Sequence, residues 1–220
     1  MSLRTINSRM KFSMMKSVLI STLCTLLLAG CSELDPVKQD TPELITKVVL
    51  TFNPSGIIGP GVVGIVVTAS DPDGDGVNDI AADGPIDLSP GTTYIMSIQL
   101  INGLVGPGIP GSDLTEEVAL EGAEHQVFFS WTNTVLFSNP AGDGNIDNAT
   151  DPVNYTGGPF SLDVNGRPLG LTTTWTTISS GTGTGNFRII LKHQPGTKSD
   201  TSGITVGETD LDLTFIVNIQ

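Results

Sequence analysis

From Leu44 onward, apolar and polar positions alternate with period 2, the repeat of a β-strand with one buried face. Leu44, Thr46, Val48, Leu50 and Phe52 share one parity. Tyr94, Met96, Ile98 and Leu100 share another, against Ile95, Ser97, Gln99 and Ile101. Val127, Phe129 and Trp131 form a third face, and Phe187, Ile189, Leu191 and His193 a fourth. The cleanest pattern is Leu211, Leu213, Phe215, Val217 and Ile219, set against Asp210, Asp212, Thr214 and Asn218 on the polar side. Residues 62–68 are a continuous apolar run of strand length. The Thr-rich residues 171–178 suit a strand because β-branched side chains fit a pleated surface.

Turn formers separate these segments: Asn53-Pro54-Ser55-Gly56, Ser89-Pro90-Gly91, Pro107-Gly108, Asp163-Val164-Asn165-Gly166 and residues 181–186. With 26 Gly and 14 Pro in 220 residues, helical bundles and coiled coils are excluded. Short, regularly punctuated strands predict an all-β fold, an antiparallel β-sandwich of immunoglobulin-like general architecture. One segment departs from the rule. Residues 113–122 predict a short helix, with Asp113 and Glu116 spaced as a capping box and Gly122 at its end.

The first thirty residues read differently. Arg4, Arg9, Lys11 and Lys16 form a basic region without an acid, followed by an apolar stretch over residues 17–28. That stretch is shorter than the ~20 apolar residues a bilayer span needs. It ends in Leu28-Ala29-Gly30-Cys31, which resembles the bacterial lipobox, in which the Cys sulfur is acylated and the chain is cut before it. The expected organisation is a lipoprotein signal peptide over 1–30, an acylated Cys31 with a flexible tether over 31–42, and one β-sandwich domain over 43–220. A plain secretory signal with a nearby Cys is the alternative, and Met1, Met10 and Met14 are all candidate starts. Several acyl chains anchor firmly, at ~0.8 kcal/mol per buried CH₂. Ser32 after the Cys, with Glu33 and Asp35 close behind, points to the outer membrane, on its periplasmic face or at the cell surface.

Charge sharpens the picture. The whole chain has 10 Lys+Arg against 23 Asp+Glu, a net charge of −13. Loss of the leader removes four bases and no acid. Nucleic-acid binding requires a basic footprint, which is absent. The field favours cationic ligands. Cys24 goes with the leader and Cys31 carries lipid, so no intramolecular disulfide is expected.

Two segments carry candidate chemistry. In Asp71-Pro72-Asp73-Gly74-Asp75-Gly76-Val77-Asn78-Asp79, carboxylates at alternate positions resemble the first half of a calcium loop, with Asp71, Asp73, Asp75 and Asp79 as candidate ligands. Calcium takes six to eight oxygens, and a Gly permits the turn that lets alternate side chains converge. The twelfth position is Ala82 rather than Glu, and residues 80–85 read as loop, so an acidic hairpin loop is the plainer reading. Asp143-Gly144-Asn145-Ile146-Asp147 is a weaker echo.

The second segment is Glu116-Glu117…Glu121…Glu124-His125. On a helix, Glu117, Glu121 and His125 would share a face. His193, the other histidine, has the parity of an apolar strand face. Together Glu117, Glu121, His125 and His193 are a candidate zinc or copper site, or the two histidines a haem-ligating pair. Otherwise His125 ends the helix and His193 hydrogen-bonds at a strand end. Enzyme signatures such as His-Glu-x-x-His, Gly-x-Ser-x-Gly and the Walker loop do not occur. Trp131, Trp175, Tyr94 and Tyr155 are candidates for sugar stacking or for the core.

Several motifs recur together: Glu43-Leu44-Ile45-Thr46; Asp-Pro-Asp-Gly-Asp-Gly at 71–76; Thr115-Glu116-Glu117 leading to Glu124-His125-Gln126-x-Phe128-Phe129; Asn165-Gly166-x-Pro168-Leu169-Gly170-Leu171; Leu191-Lys192-His193-Gln194-Pro195; and Gly207-Glu208-Thr209-Asp210. In these the chain resembles a group of small, acidic bacterial lipoproteins without assigned chemistry, often labelled type 1 periplasmic binding fold superfamily. That label implies two doubly wound lobes, which need repeated βαβ units that this chain lacks. The resemblance implies lipoprotein status. The expected function is a non-enzymatic ligand-, ion- or partner-binding module anchored in the outer membrane, as an accessory to an outer-membrane receptor. The alternatives are a metal- or carboxylate-dependent hydrolase and a structural lipoprotein clamped by calcium.

Overall fold

Period-two alternation becomes, among the described residues, ten strands in two sheets. The computed structural model describes residues 43–56, 63–74, 79–132, 136–140 and 161–220, all within the unit Pro42–Gln220. The strands are β1 (Lys47–Pro54), β2 (Ile65–Ser70), β3 (Ala81–Ala82), β4 (Ile86–Leu88), β5 (Thr93–Ile101), β6 (His125–Trp131), β7 (Phe137–Asn139), β8 (Thr172–Thr177), β9 (Gly183–His193) and β10 (Glu208–Ile219). Helix α1 (Leu114–Leu120) lies between β5 and β6. One sheet has the order β3-β2-β1-β5-β8-β7, and the other β4-β10-β9-β6. The fold is all-β and sandwich-like, as the pattern predicts. One pairing departs from the antiparallel expectation: β4 runs parallel to β10, Ile86 beside Val217.

The two sheets meet over the expected parity sets. Leu44 is the exception, 42% exposed where its parity predicts burial. Trp175 on β8 reaches across to the other sheet, 5.4 Å from Phe129, 5.5 Å from Trp131 and 4.9 Å from Phe187, with Phe137 beside it at 4.9 Å. Its indole N–H donates to Thr173 Oγ1 at 2.8 Å, so its one polar atom is satisfied inside the core. Tyr94 is also buried, its hydroxyl accepting from the Ser89 N–H at 3.0 Å. Trp131, Trp175 and Tyr94 are therefore core residues and offer no platform to a sugar; Tyr155 lies outside the described residues.

Other expectations change in detail. Within the apolar run at 62–68, β2 starts only at Ile65, and Val66 turns outward at 58% exposure. Ala81 and Ala82, read as loop, pair with Ser70 and Ala69, so residues 71–80 link the two arms of a hairpin. The helix ends at Leu120 rather than 122, and Asp113 caps it by accepting from the Thr115 N–H at 2.9 Å. Edge strand β6 is buried along its whole length. Its Val127 N–H donates to the Leu169 carbonyl at 2.8 Å, so a loop covers the edge.

Candidate functional site: a histidine pair among carboxylates

β6 and β9 pair with Trp131 opposite Phe187 at one end and His125 opposite His193 at the other. Residues directly opposite on one face of an antiparallel pair come into contact. The two imidazole rings accordingly stack, 4.5 Å between centroids and 8° from parallel. His125 is sealed, with a side-chain exposure of 0%, whereas His193 keeps 12% at the rim.

The chain delivers carboxylates to this end by three routes. The first is the turn between α1 and β6. The Glu121 N–H donates to the Glu117 carbonyl at 2.9 Å and the Glu124 N–H to the Glu121 carbonyl at 2.8 Å, reversing the chain within four residues. Glu121 and His125 therefore meet across a turn, not along a helix face. His125 Nδ1 lies 3.3 Å from the Glu121 carbonyl oxygen, and Glu124 Oε2 lies 3.5 Å from His193 Nε2.

The second route is a β-bulge in β10. Thr209 pairs with Lys192 and Leu211 with Leu191, which leaves Asp210 as the extra residue. The bulge turns Asp210 inward, although strict alternation assigns it to the polar face. Its carboxylate is fully buried, with Oδ2 3.7 Å from His125 Nε2. Burial pushes the Asp210 carboxyl up to about 6, against the opposing pull of the His193 charge. Gly207, at φ 74°, makes the bend possible. A Cβ there would stand 2.0 Å from the His193 carbonyl oxygen, so only glycine lets the two backbones approach.

The third route is the start of β1's approach, which brings Glu43 beside α1. One donor atom each from Glu121, His125 and His193 lie within 4.8 Å of one another. Glu43, Glu117 and Glu121 form a second set under the same limit. Three of the four residues expected from sequence thus converge, and Glu117 joins them only through Glu121.

Behind the site sits a buried ion pair. Lys198 Nζ meets Asp163 Oδ2 at 2.9 Å and donates to the carbonyls of Gly122 at 2.7 Å and His125 at 2.8 Å. Asp163 Oδ1 accepts from the N–H groups of Asn165 and Arg167, both at 2.8 Å. Burial works to raise the Asp163 carboxyl, but the Arg167 N–H, Lys198 and the Asn165 N–H together hold it below its usual value. This network fixes the backbone on which His125 stands. On the opposite face of β9, burial lowers the Lys192 ammonium against the charges of Asp210, Glu208 and Asp212, and its Nζ donates to Thr209 Oγ1 at 2.8 Å.

The stacked geometry does not suit haem. Axial ligands approach an iron head-on from opposite sides of a porphyrin, and rings in face contact leave no slot for one.

The acidic loop is described in part. Asp71 is buried; its Oδ1 accepts from the Gly74 N–H at 3.1 Å, and its Oδ2 has no hydrogen-bond partner among the described residues. Asp73 and Asp79 are exposed. Asp75, the 143–147 echo, Cys31 and the leader and tether lie outside the described residues. Among the described residues no helix is long and apolar enough to cross a membrane.

Alternation alone hides Asp210, and Glu43 and Glu124 carry no pattern of their own. The one sequence signal was Gly207, whose close approach could have marked an irregularity in β10. No family model, curated protein or solved structure matches the chain.

Proposed function

We propose that the chain is a non-enzymatic binding module, lipid-anchored at the outer membrane through Cys31, whose ligand is a cation held at the histidine end of the sandwich. The observation that supports this best is the convergence of Glu121, His125 and His193 donor atoms within 4.8 Å, beside Glu43, Glu117 and Glu124. Imidazole and carboxylate donors gathered in one place attract cations. The acid surplus of the chain acts in the same direction. His125 is sealed from solvent and so is poorly placed to touch a substrate, which favours capture over turnover. The proposal includes an accessory role beside an outer-membrane receptor, for which the anchor would supply the location.

Equilibrium dialysis of the detergent-solubilised, EDTA-stripped lipoprotein against a panel of divalent cations tests the cation. Saturable uptake of one ion per chain, reduced in Glu121→Gln, is the expected result; no uptake removes the reading. Robust turnover on a panel of peptides and glycans would replace it with a metal-dependent hydrolase. The anchor has its own test: Cys31→Ala should move the protein out of the membrane fraction.

The buried Asp71 Oδ2, without a hydrogen-bond partner among the described residues, favours a second reading, a calcium clamp on the β2–β3 hairpin. Calcium should then raise the melting temperature, and Asp71→Asn should abolish the rise.

A further inference from the structure

We infer that the cation is a borderline first-row divalent ion of the zinc, nickel or copper(II) class. One ring nitrogen each of His125 and His193 and a carboxylate oxygen of Glu121 bind it, and Asp210 acts as the positioning carboxylate behind His125. This rests on the cation reading above and names its chemistry.

The donor set makes the choice. Calcium and magnesium take oxygen ligands almost alone, whereas imidazole selects zinc, copper and nickel. Two imidazoles and one carboxylate are three protein ligands, the number that leaves a fourth position open to water or to a neighbouring carboxylate. Glu124, 3.5 Å from His193 Nε2, stands at that opening.

Burial is graded as a site of this kind requires. His125 is sealed, while Glu121, Glu124 and His193 are half-buried, so an ion reaches the donors from one side only.

Asp210 supplies an independent observation. It is a fully buried carboxylate that faces His125 Nε2 and accepts from the Glu43 N–H. Its Oδ2 lies 3.7 Å from His125 Nε2. A strand that only filled a core would place an apolar side chain here. Metal-ligating histidines characteristically have a carboxylate or carbonyl behind the ring, which sets its orientation and raises its basicity. The β10 bulge puts a carboxylate in that position and the Gly207 bend keeps it there.

The pairing of the rings fits the same role. His125 and His193 are opposite one another in the β6–β9 register, so their spacing is set by the ladder and not by loop motion. The two strands fix the rings beforehand, and on binding His125 Nδ1 exchanges its contact with the Glu121 carbonyl for the ion.

The test is titration of the detergent-solubilised, EDTA-stripped full chain with copper(II), followed by electron paramagnetic resonance, and with zinc in competition. One copper per chain with hyperfine coupling to two nitrogens is expected, together with zinc displacement that excess calcium does not achieve. His193→Gln, at the rim, should weaken zinc binding by about 100-fold and remove one nitrogen coupling. Asp210→Asn should keep the stoichiometry, weaken zinc about 10–100-fold and shift the copper spectrum, a signature that a purely structural role would not move. Near-ultraviolet circular dichroism of each variant checks the fold, and His193→Gln serves if Asp210→Asn does not fold. An ion that binds with oxygen donors only, or is displaced by calcium, overturns the metal class but leaves the cation reading standing. If no cation binds at all, both fall.

Discussion

β6 and β9 carry two kinds of core on the same inner face, six residues apart. At one end Trp131, Phe129 and Phe187 surround Trp175. At the other, His125 and His193 stack among carboxylates, with a lysine–aspartate pair behind them. Both ends are buried, and both follow the same alternation. The aromatic end needs volume and shape, and any well-packed neighbour contributes. The histidine end needs specific partners, because each buried donor or acceptor left without one costs free energy. Packing can tolerate a shift of neighbours; the polar end depends on a helix end, a turn, a bulge and two distant loops all arriving in place.

Substitutions at five positions, one of them read by acid titration, sharpen that contrast. The largest effect is expected from Trp175→Ala, which empties the centre of the aromatic end and should cost about 3–5 kcal/mol, read from urea unfolding. If the loss is under ~1 kcal/mol, the aromatic end is not the main source of stability. Lys198→Met leaves Asp163 buried without its cation and should cost nearly as much, about 3 kcal/mol. Adding Asp163→Asn should then recover part of the loss, since its Oδ1 contacts to Asn165 and Arg167 survive. No recovery would mean that Lys198 acts mainly through the Gly122 and His125 carbonyls.

Gly207→Ala should cost more than about 1 kcal/mol, from the left-handed backbone and the His193 contact together. It should also weaken ion binding, because His193 must move; a variant that destabilises without touching affinity would separate the bend from the site.

Acid titration comes next. The Asp163 carboxyl is held below its usual value in the folded chain, so its stabilising contribution is present above the ordinary carboxylate range. It is lost as pH falls through the lower, folded value. Asp163→Asn should therefore flatten the acid limb of the stability profile; an unchanged limb would mean that other carboxylates set it.

The smallest effect belongs to Arg188 and Asp212, a bidentate pair on the outer face between β9 and β10. Arg188→Ala should cost less than about 1 kcal/mol, because the pair is partly solvated.

The difference between the ends also explains how much could be read beforehand. The aromatic end was legible: Val127, Phe129, Trp131, Phe187, Ile189 and Leu191 point inward by parity, and they do. His193 shared that parity, which placed it correctly on an inner face. The histidine end was legible only in its members. Spacing groups Glu121, His125 and His193 but assigns their meeting to a helix face, which is not its cause. A helix carried through to His125 would have aligned Glu117, Glu121 and His125. The helix instead stops at Leu120, and strand register, which no local spacing encodes, sets the histidines side by side. Asp210 escaped because a bulge reverses parity at one residue without a change in composition.

Alternation, turn residues and the scarcity of helical pattern determined by themselves an all-β, sandwich-like fold with, among the described residues, one short helix. They are local properties, fixed by whether each side chain favours water or the interior, and they survive whichever strand pairs with which. Only the tertiary structure decided which strands are neighbours, that β4 runs parallel to β10, and that Glu43, Glu121, His125, His193 and Asp210 share one end of the fold. Those contacts join residues distant in sequence, His193 beside His125 and Val217 beside Ile86. The free energy that selects them belongs to the assembled core and its polar partners, and no short stretch of the chain contains it.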